Sequence, residues 1–251
     1  MIGGAAAASV AAGGPLARRL LLALDVRVLV VLALILAAGL AFVQAPQPAV
    51  PADCIVLDDF STATVGEFPA GWKARDDEGK RVYRVAEDGG RRFLRAVSEG
   101  LGVQAARETE TWNLATHPVL AWSWRPRQFP QGADEGKSET NDSALAVYMA
   151  VPHSKVRGPK AMKYVWSKKV PVGTRLSSNQ GLTQVRVLRS GAPASADAWV
   201  EERVDVLHDW LALFKESEAP RPGGIAVLTD ADDTRSTAAG DYANFRACKG
   251  S

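Results

Sequence analysis

A series of short, apolar, alternating segments separated by turn-forming residues constrains this fold more than any other feature. The segments begin at Cys54 and end at Cys248, and glycine, proline or clustered polar residues stand between them. Strands of this length separated by turns are typical of antiparallel sheets. The sequence predicts an all-β fold, an antiparallel β-sandwich of jelly-roll type, over residues 53–251. The predicted strands lie at 54–60, 81–87, 92–98, 101–107, 118–126, 143–152, 162–167, 183–189, 224–230 and 241–248.

One helix interrupts the strands. In residues 204–216 the apolar side chains Val206, Trp210, Leu213 and Phe214 recur at helical spacing. The longest polar stretch, residues 131–142, is predicted to be a mobile surface loop. One core is enough for a chain of this size, so we expect a single domain with one short helix.

The N-terminal quarter has a different character. Residues 26–43 are apolar apart from Arg27, and Arg18 and Arg19 precede them. This is the pattern of a signal peptide, and Ala52 is an acceptable residue before a cleavage site, so we expect a mature start near Asp53. The apolar run is also long enough to remain as an N-terminal anchor. Either alternative predicts export to the periplasm or cell envelope, with membrane contact only through residues 1–52 if they are not cleaved.

The charge balance argues against nucleic acid as a partner. The chain has 30 basic and 28 acidic residues, and residues 1–52 hold three arginines and one aspartate, which leaves 27 of each kind in the remainder. Domains that bind nucleic acid present clustered positive charge. Residues 53–251 contain no long basic block, so we expect no nucleic-acid partner.

Only two cysteines occur, and they stand at the two ends of the predicted domain. Cys54 opens the first predicted strand and Cys248 closes the last. In an oxidising compartment such a pair forms a disulfide, whereas the alternative is two unpaired thiols. No histidine or third cysteine lies near either residue in the sequence, which argues against a metal site there.

Several motifs in a fixed order carry a resemblance to a known family. "DDFS" precedes "GEFPAGWK", and "AWSWRP" precedes an acidic loop that ends at Asp142 and the segment "KYVWS". A Trp-containing helix, "GIAVLTDADDT" and "DYANFRA" follow. This order resembles DUF3047, an uncharacterised bacterial family of exported proteins, over residues 54–248. The resemblance implies an exported jelly-roll domain and brings no assigned activity.

The last strand pair is also similar to the closing strands of carbohydrate-binding jelly rolls, which implies a glycan as the ligand class. Members of the family often carry a second acidic residue beside Asp142 and an arginine in the following strand. This chain has Asn141 at the first place and Ala146 or Val147 at the second. It therefore departs from a carboxylate–arginine site at this point.

The aromatic residues have two interpretations. Strand alternation places Trp122 and Trp124 on one face, and Tyr164 and Trp166 on one face of another strand. Such rings form either a sugar-stacking platform or a core in which each buries about 150–250 Å². Trp166 is the best candidate for the platform because a polar loop follows it. The candidate ligand-binding residues are Trp124, Arg125, Asp142, Tyr148, Tyr164 and Trp166, with Lys163 and Arg186 in the same polar set.

The segment "TDADDT" has aspartates at alternate positions. Asp230 and Asp232 are candidate ligands for a metal such as calcium, which binds several carboxylate oxygens from one loop. The other interpretation is a structural turn, in which Asp230 or Asp233 caps backbone N–H groups. We expect no other cofactor.

The sequence favours binding over catalysis. His117, His153 and His208 are the histidines, and no Ser-His-Asp order or glycine elbow accompanies them. Glu201 and Glu202 are adjacent and therefore face opposite ways on a strand. We expect a non-catalytic, glycan-binding protein. The alternatives are a glycan-active hydrolase or lyase on the same scaffold and a structural envelope protein.

Overall fold

The computed structural model describes residues 50–250. Nearly all of the predicted leader or anchor lies outside the described residues, so its cleavage stays a prediction. Within the described range, no helix combines the length and the apolar character that a membrane span needs.

The described residues form short strands with two short helices, α1 (Gly79–Val82) and α2 (Val206–Phe214). In chain order, the strands are β1 (Cys54–Asp58), β2 (Trp72–Ala74), β3 (Tyr83–Asp88), β4 (Arg91–Glu99), β5 (Gln104–Glu108), β6 (Val119–Gln128), β7 (Leu145–Ser154), β8 (Gly158–Ser167), β9 (Arg175–Ser178), β10 (Thr183–Ser190), β11 (Val200–Asp205), β12 (Gly224–Leu228) and β13 (Thr237–Cys248).

The strands form two sheets. Sheet A has the order β11-β6-β13-β4-β3, with β1 also paired to β13. Sheet B has the order β2-β5-β12-β7-β8-β10-β9. The chain passes repeatedly from one sheet to the other, as in a jelly roll, and stays within one sheet only at β3–β4 and from β7 to β10. The predicted fold class, an antiparallel β-sandwich of jelly-roll type, is confirmed, with one parallel pair between β8 and β10.

The core lies between the inner faces of the two sheets. Alternation along β6 and β8 turns their large rings inward, where the ring centroids of Trp122 and Tyr164 lie 5.8 Å apart. Trp124 and Trp166 make a second contact across the sheets, also at 5.8 Å. These rings are packed on both sides, which is the dense arrangement expected of a protein interior.

The predicted helix is present but shorter than expected. Val204 and Asp205 belong to β11, and α2 begins at Val206 because Asp205 accepts the backbone N–H of His208 at 2.8 Å. It ends where Lys215 adopts a left-handed conformation with φ of 57°. The strands β2, β9 and β11 are not among the predicted strands. β2 and β9 are the two edges of sheet B, and strands of three or four residues are too short to show a period.

The disulfide prediction is confirmed. Strands β1 and β13 pair in antiparallel fashion with Cys54 directly opposite Cys248, and the two residues form a disulfide across a sequence separation of 194. In the chain-entropy account a loop of this length stabilises the folded state by roughly 4–5 kcal/mol. The bond therefore ties the first strand of the sandwich to the last.

Candidate functional site

The pairing of β7 with β12 brings distant carboxylates to one end of sheet B. Asp142 precedes β7 and Asp230 follows β12, and these strands run antiparallel. The backbone N–H of Asp230 donates to the carbonyl of Ser143 at 2.9 Å. One carboxylate oxygen from each of Asp142, Asp230 and Asp232 lies within 4.8 Å of the others. We call these three residues the carboxylate cluster.

Asp142 holds the turn that follows β12. Its Oδ1 accepts the N–H of Asp233 at 3.2 Å, and its Oδ2 accepts the N–H of Thr234 at 2.8 Å as well as the Thr234 hydroxyl. The prediction that Asp230 or Asp233 caps this turn is therefore wrong. A fully buried carboxylate from another loop caps the turn instead.

The turn between β4 and β5 closes over the cluster. A Cβ added at Gly102 would lie 2.6 Å from Asp230 Oδ1 and 2.8 Å from Asp232 Oδ2. The site therefore requires a residue without a side chain at this position. The backbone of Ala231 also donates to the carbonyl of Leu101 at 3.1 Å, which fixes the approach.

Burial and crowding make Asp230 an unusual carboxyl group. Burial is the main cause that raises its pKa to about 8; Lys163 opposes this effect, whereas Asp232 and Asp142 add to it. The same causes, burial first and then the two neighbouring carboxylates, raise the pKa of Asp233. Asp230 is 9% exposed, and its Oδ1 has no hydrogen-bond partner. A buried oxygen without a partner is costly and needs a proton, a cation or a ligand donor.

Lys163 lies beside the cluster on the outer face of sheet B, the face turned away from the core. It is 5% exposed and lies opposite Tyr148 in the β7–β8 ladder, with its ammonium 5.7 Å from the centroid of the Tyr148 ring. Burial lowers its pKa, but Tyr148 and Asp230 outweigh burial and the pKa is raised. Lys160 pairs with Glu216 at 2.6 Å, whereas Lys163 has no carboxylate within 4 Å among the described residues.

The floor around Lys163 consists mainly of small and aliphatic side chains. Strand alternation places Ala161 and Val165 on the same outer face of β8, and Ala226 and Leu228 on the outer face of β12. Ala106 extends this floor on β5, where it pairs with Ala226. The polar groups of the site therefore stand at one end of a low, apolar surface.

The loop 131–142 is anchored, which corrects the prediction that it is a mobile surface loop. Glu135 in its middle is 7% exposed and accepts the hydroxyl of Ser167 at the end of β8 at 2.5 Å. Burial raises the pKa of Glu135. The loop thus adds a further acidic side chain near Lys163, which the sequence did not single out.

The predicted aromatic platform is not available to a ligand. Trp124 and Tyr164 are fully buried and Trp166 is 3% exposed. Their polar atoms are also occupied inside the protein: the rings donate to Glu202 at 3.1 Å and Gly191 at 2.9 Å, and the Tyr164 hydroxyl donates to Asp209 at 3.1 Å. The alternative interpretation, that these rings are core, is correct because their faces of β6 and β8 point into the sandwich.

The structure divides the remaining predicted residues between two sites. Asp142, Tyr148 and Lys163 come together on sheet B, with Asp230 and Asp232. Arg125 lies on the outer face of sheet A, where it donates to Asp241. Arg186 belongs to neither site, because it pairs with Asp209 at 2.8 Å. The metal ligands predicted from sequence, Asp230 and Asp232, are joined by Asp142, which sequence reasoning did not assign to a metal.

The carboxylate cluster could hold a cation, and its chemistry suits one in part. The unpartnered Oδ1 of Asp230 is a free ligand atom, and oxygen ligands are what calcium prefers. The oxygens of Asp142, however, already accept three hydrogen bonds from the turn. The calcium assignment stays a prediction.

The comparisons with known proteins show a family and distant structural relatives. A family model described as "Protein of unknown function (DUF3047)" matches residues 70–246. No curated protein matches the chain.

Three solved structures are similar at a distance. The structure of TmCBM61 in complex with β-1,4-galactotriose has 11% identity and a TM-score of 0.36, and the match covers 76% of this chain and 94% of that one. The family 11 carbohydrate-binding module of Lic26A-Cel5E from Clostridium thermocellum has 9% identity and a TM-score of 0.38, with 81% and 97% covered. The xyloglucanase domain of NopAA from Sinorhizobium fredii has 11% identity and a TM-score of 0.29, with 72% and 99% covered.

Proposed function

We propose that this chain, which belongs to the DUF3047 family of proteins of unknown function, binds a glycan on the outer face of sheet B, beside the carboxylate cluster. The proposal rests on the chain's own side chains. The observation that carries the proposal is a buried lysine without a carboxylate partner next to a buried carboxyl oxygen without a hydrogen-bond partner. Lys163 has no carboxylate within 4 Å among the described residues, and Asp230 Oδ1 has no hydrogen-bond partner.

Unpartnered polar groups at an open face are satisfied by a polar ligand. Sugar hydroxyls both donate and accept, so one ring can donate to a carboxylate of the cluster and accept from Lys163. The low apolar floor of Ala106, Ala161 and Ala226 leaves room for the flat side of a sugar ring. Small-molecule sites are usually lined by apolar side chains, with a few polar groups that fix the orientation of the ligand.

Export is the second part of the proposal. The basic and then apolar N-terminus supports it, and a disulfide between Cys54 and Cys248 is stable in an oxidising compartment. Mass spectrometry of the protein from its native cells should find an N-terminus near Asp53. An intact N-terminus on cytoplasmic protein would contradict this part.

The binding test uses the full chain and a set of neutral oligosaccharides, followed by calorimetric titration with the best of them. Lys163→Met keeps the length of the side chain and removes its charge, so the fold is retained while binding falls at least about tenfold, as expected for the loss of a charged hydrogen bond. Lys155→Met is the matched control, because Lys155 is exposed in the β7–β8 turn. Failure of every sugar to bind, or equal affinity in Lys163→Met and the wild type, would overturn the proposal.

A second candidate, glycan hydrolysis at the same place, is favoured by one observation. The pKa of Asp230, near 8, keeps this carboxyl protonated at neutral pH beside Asp232, and a protonated acid next to a carboxylate is the pairing that glycosidases use. Release of reducing ends from the bound sugar tests it. Hydrolysis would be lost in Asp230→Asn while binding remains, and the absence of turnover in the wild type would leave binding alone.

A further inference from the structure

The outer face of sheet A carries a second charged site. The register of four neighbouring strands aligns Arg84 of β3, Arg95 of β4, Asp241 of β13 and Arg125 of β6 in one row. Side chains directly opposite each other in neighbouring strands lie in contact, so the row places Arg95 and Arg125 on the two sides of Asp241, with Arg84 beyond Arg95.

Asp241 is fully buried and serves more guanidinium groups than its charge can balance. Its carboxylate accepts from Nε of Arg95 at 2.9 Å, Nε of Arg125 at 2.8 Å and Nε of Arg127 at 2.9 Å. Asp197 is a second carboxylate at this site and accepts from Nη1 of Arg127, so two carboxylates serve these three arginines. The Asp241 carboxylate orients the three arginines and leaves a positive excess on the face.

Aromatic rings hold this arrangement from the side. The Arg125 guanidinium lies 4.4 Å from the centroid of the Trp199 ring and 5.1 Å from that of Phe93. Arg91 stacks on Trp199 at 4.1 Å. Stacking of this kind fixes guanidinium groups without neutralising them.

Several guanidinium donors of the site have no partner. Arg125 is 2% exposed and its Nη2 has no hydrogen bond; the nearest carboxylate oxygen, from the largely exposed Asp88, is 3.6 Å away. Nε and Nη2 of Arg91 are also buried without partners. Burial, followed by the charge of Arg125, lowers the pKa of Arg91. The local field therefore favours a negative charge.

A groove passes over these arginines. Arg95, Val97, Arg127 and Ala239 line an open groove of about 400 Å³. Arg95 and Val97 also line a neighbouring groove of about 530 Å³ that extends to Arg84. Arg95 is 40% exposed and Arg127 is 25% exposed at the side chain, and Nη1 of Arg95 and Nη2 of Arg127 make no hydrogen bond within the described residues.

We propose that this groove binds an oxyanion, in the form of a carboxylate, sulfate or phosphate group, between Arg95 and Arg127. The planar guanidinium fork matches the geometry of such groups and donates two parallel hydrogen bonds. Asp241 positions both arginines through their Nε atoms and also accepts from Nη2 of Arg95, while Ala196 and Asp197 accept from Nη1 of Arg127. Nη1 of Arg95 and Nη2 of Arg127 remain for the ligand. Arg84 adds a further positive charge along the groove. The site lies on the opposite sheet from the proposed glycan site and does not depend on it.

The test is calorimetric titration of the full chain at low ionic strength. The probes are inorganic phosphate, inorganic sulfate and a galacturonate trisaccharide, with a neutral galactose trisaccharide as the uncharged comparison. Arg127→Gln removes one side of the proposed clamp and leaves Arg95 and Arg125 on Asp241. Arg84→Gln removes a charge that has no ion pair among the described residues. Arg157→Gln, in the exposed β7–β8 turn, is the matched control.

We expect at least one anion to bind saturably, with an affinity that falls as salt is added. Binding should weaken at least about tenfold in Arg127→Gln and several-fold in Arg84→Gln, and stay unchanged in Arg157→Gln and in Lys163→Met. If Arg127→Gln does not fold, Arg84→Gln decides the matter alone. Preference for the trisaccharide over the inorganic ions would identify the anion as a sugar carboxylate, and the reverse preference as sulfate or phosphate. No saturable binding of any anion, or an equal loss in Arg157→Gln, would overturn the proposal.

Discussion

The carboxylate of Asp142 accepts the backbone N–H of Thr234 at 2.8 Å, so the loop before β7 is tied to the turn after β12. The two residues are 92 positions apart in the chain. This contact assembles the carboxylate cluster, because it holds the turn that carries Asp230 and Asp232 against β7.

Replacing Asp142 should destabilise the fold. Asp142→Ala leaves the N–H groups of Asp233 and Thr234 without their acceptor in a poorly hydrated place, which costs about 1–3 kcal/mol. Urea unfolding measures the change. Asp232→Ala is the control, since it removes an exposed carboxylate from the same cluster and relieves repulsion. Equal destabilisation by the two substitutions would show that Asp142 has no special part in the turn.

The raised pKa of Asp230 predicts a pH dependence of stability. Between about pH 4 and pH 8 the folded chain keeps a proton that the unfolded chain has lost, because burial raises the folded pKa to about 8. This carboxyl therefore lowers the free energy of unfolding as pH rises through that window, by up to about 1.4 kcal/mol per pH unit, and has no further effect above it. Asp230→Asn should flatten the slope in denaturant unfolding across the window. An unchanged slope would contradict the assignment.

Trp166→Ala should damage the core. The ring is 3% exposed, contacts Trp124 and donates to the carbonyl of Gly191, so its removal leaves a cavity and an unpaired acceptor. Emptying such a site costs about 3–5 kcal/mol, measured by thermal or urea unfolding. Val172→Ala, at a side chain that is 62% exposed, should change stability by less than about 0.5 kcal/mol. A stable, folded Trp166→Ala protein would show that the ring is not core.

Thiol titration checks the disulfide. The unfolded, unreduced protein should show no free thiol, because Cys54 and Cys248 are bonded. Reduction, or replacement of both cysteines by alanine, should lower the free energy of unfolding by about 2–5 kcal/mol as the first and last strands lose their link. Two free thiols in the unreduced protein would refute the bond.

Calcium should not raise the melting temperature. The oxygens of Asp142 already serve the turn, Asp230 carries a proton at neutral pH, and Lys163 supplies a nearby positive charge. The comparison is the melting temperature in calcium and in a chelator. Saturable calcium binding that disappears in Asp230→Asn would show instead that the carboxylate cluster is a cation site.

The sequence alone determined the class of fold and the disulfide that joins the first strand to the last. The period of two in segments such as "AWSWR" and "MKYVWS" is a local property of extended chain, so it predicts strands without knowledge of their neighbours. The positions of Cys54 and Cys248 at the two ends of the strand series likewise predicted their bond. These features need only local geometry and the order of the elements.

The tertiary structure decided which side of each strand meets the core and which side faces outward. Both faces of β8 carry apolar residues, so alternation could not tell that Trp166 points inward and Lys163 outward. Strand pairing, which is long-range, placed Asp142 beside Asp230 and moved Arg125 to the opposite sheet. Whether a charged group is left without a partner depends on every neighbour in three dimensions. For this reason the unpartnered Oδ1 of Asp230, the unpartnered Nη2 of Arg125 and the lack of a carboxylate beside Lys163 are properties of the folded chain alone.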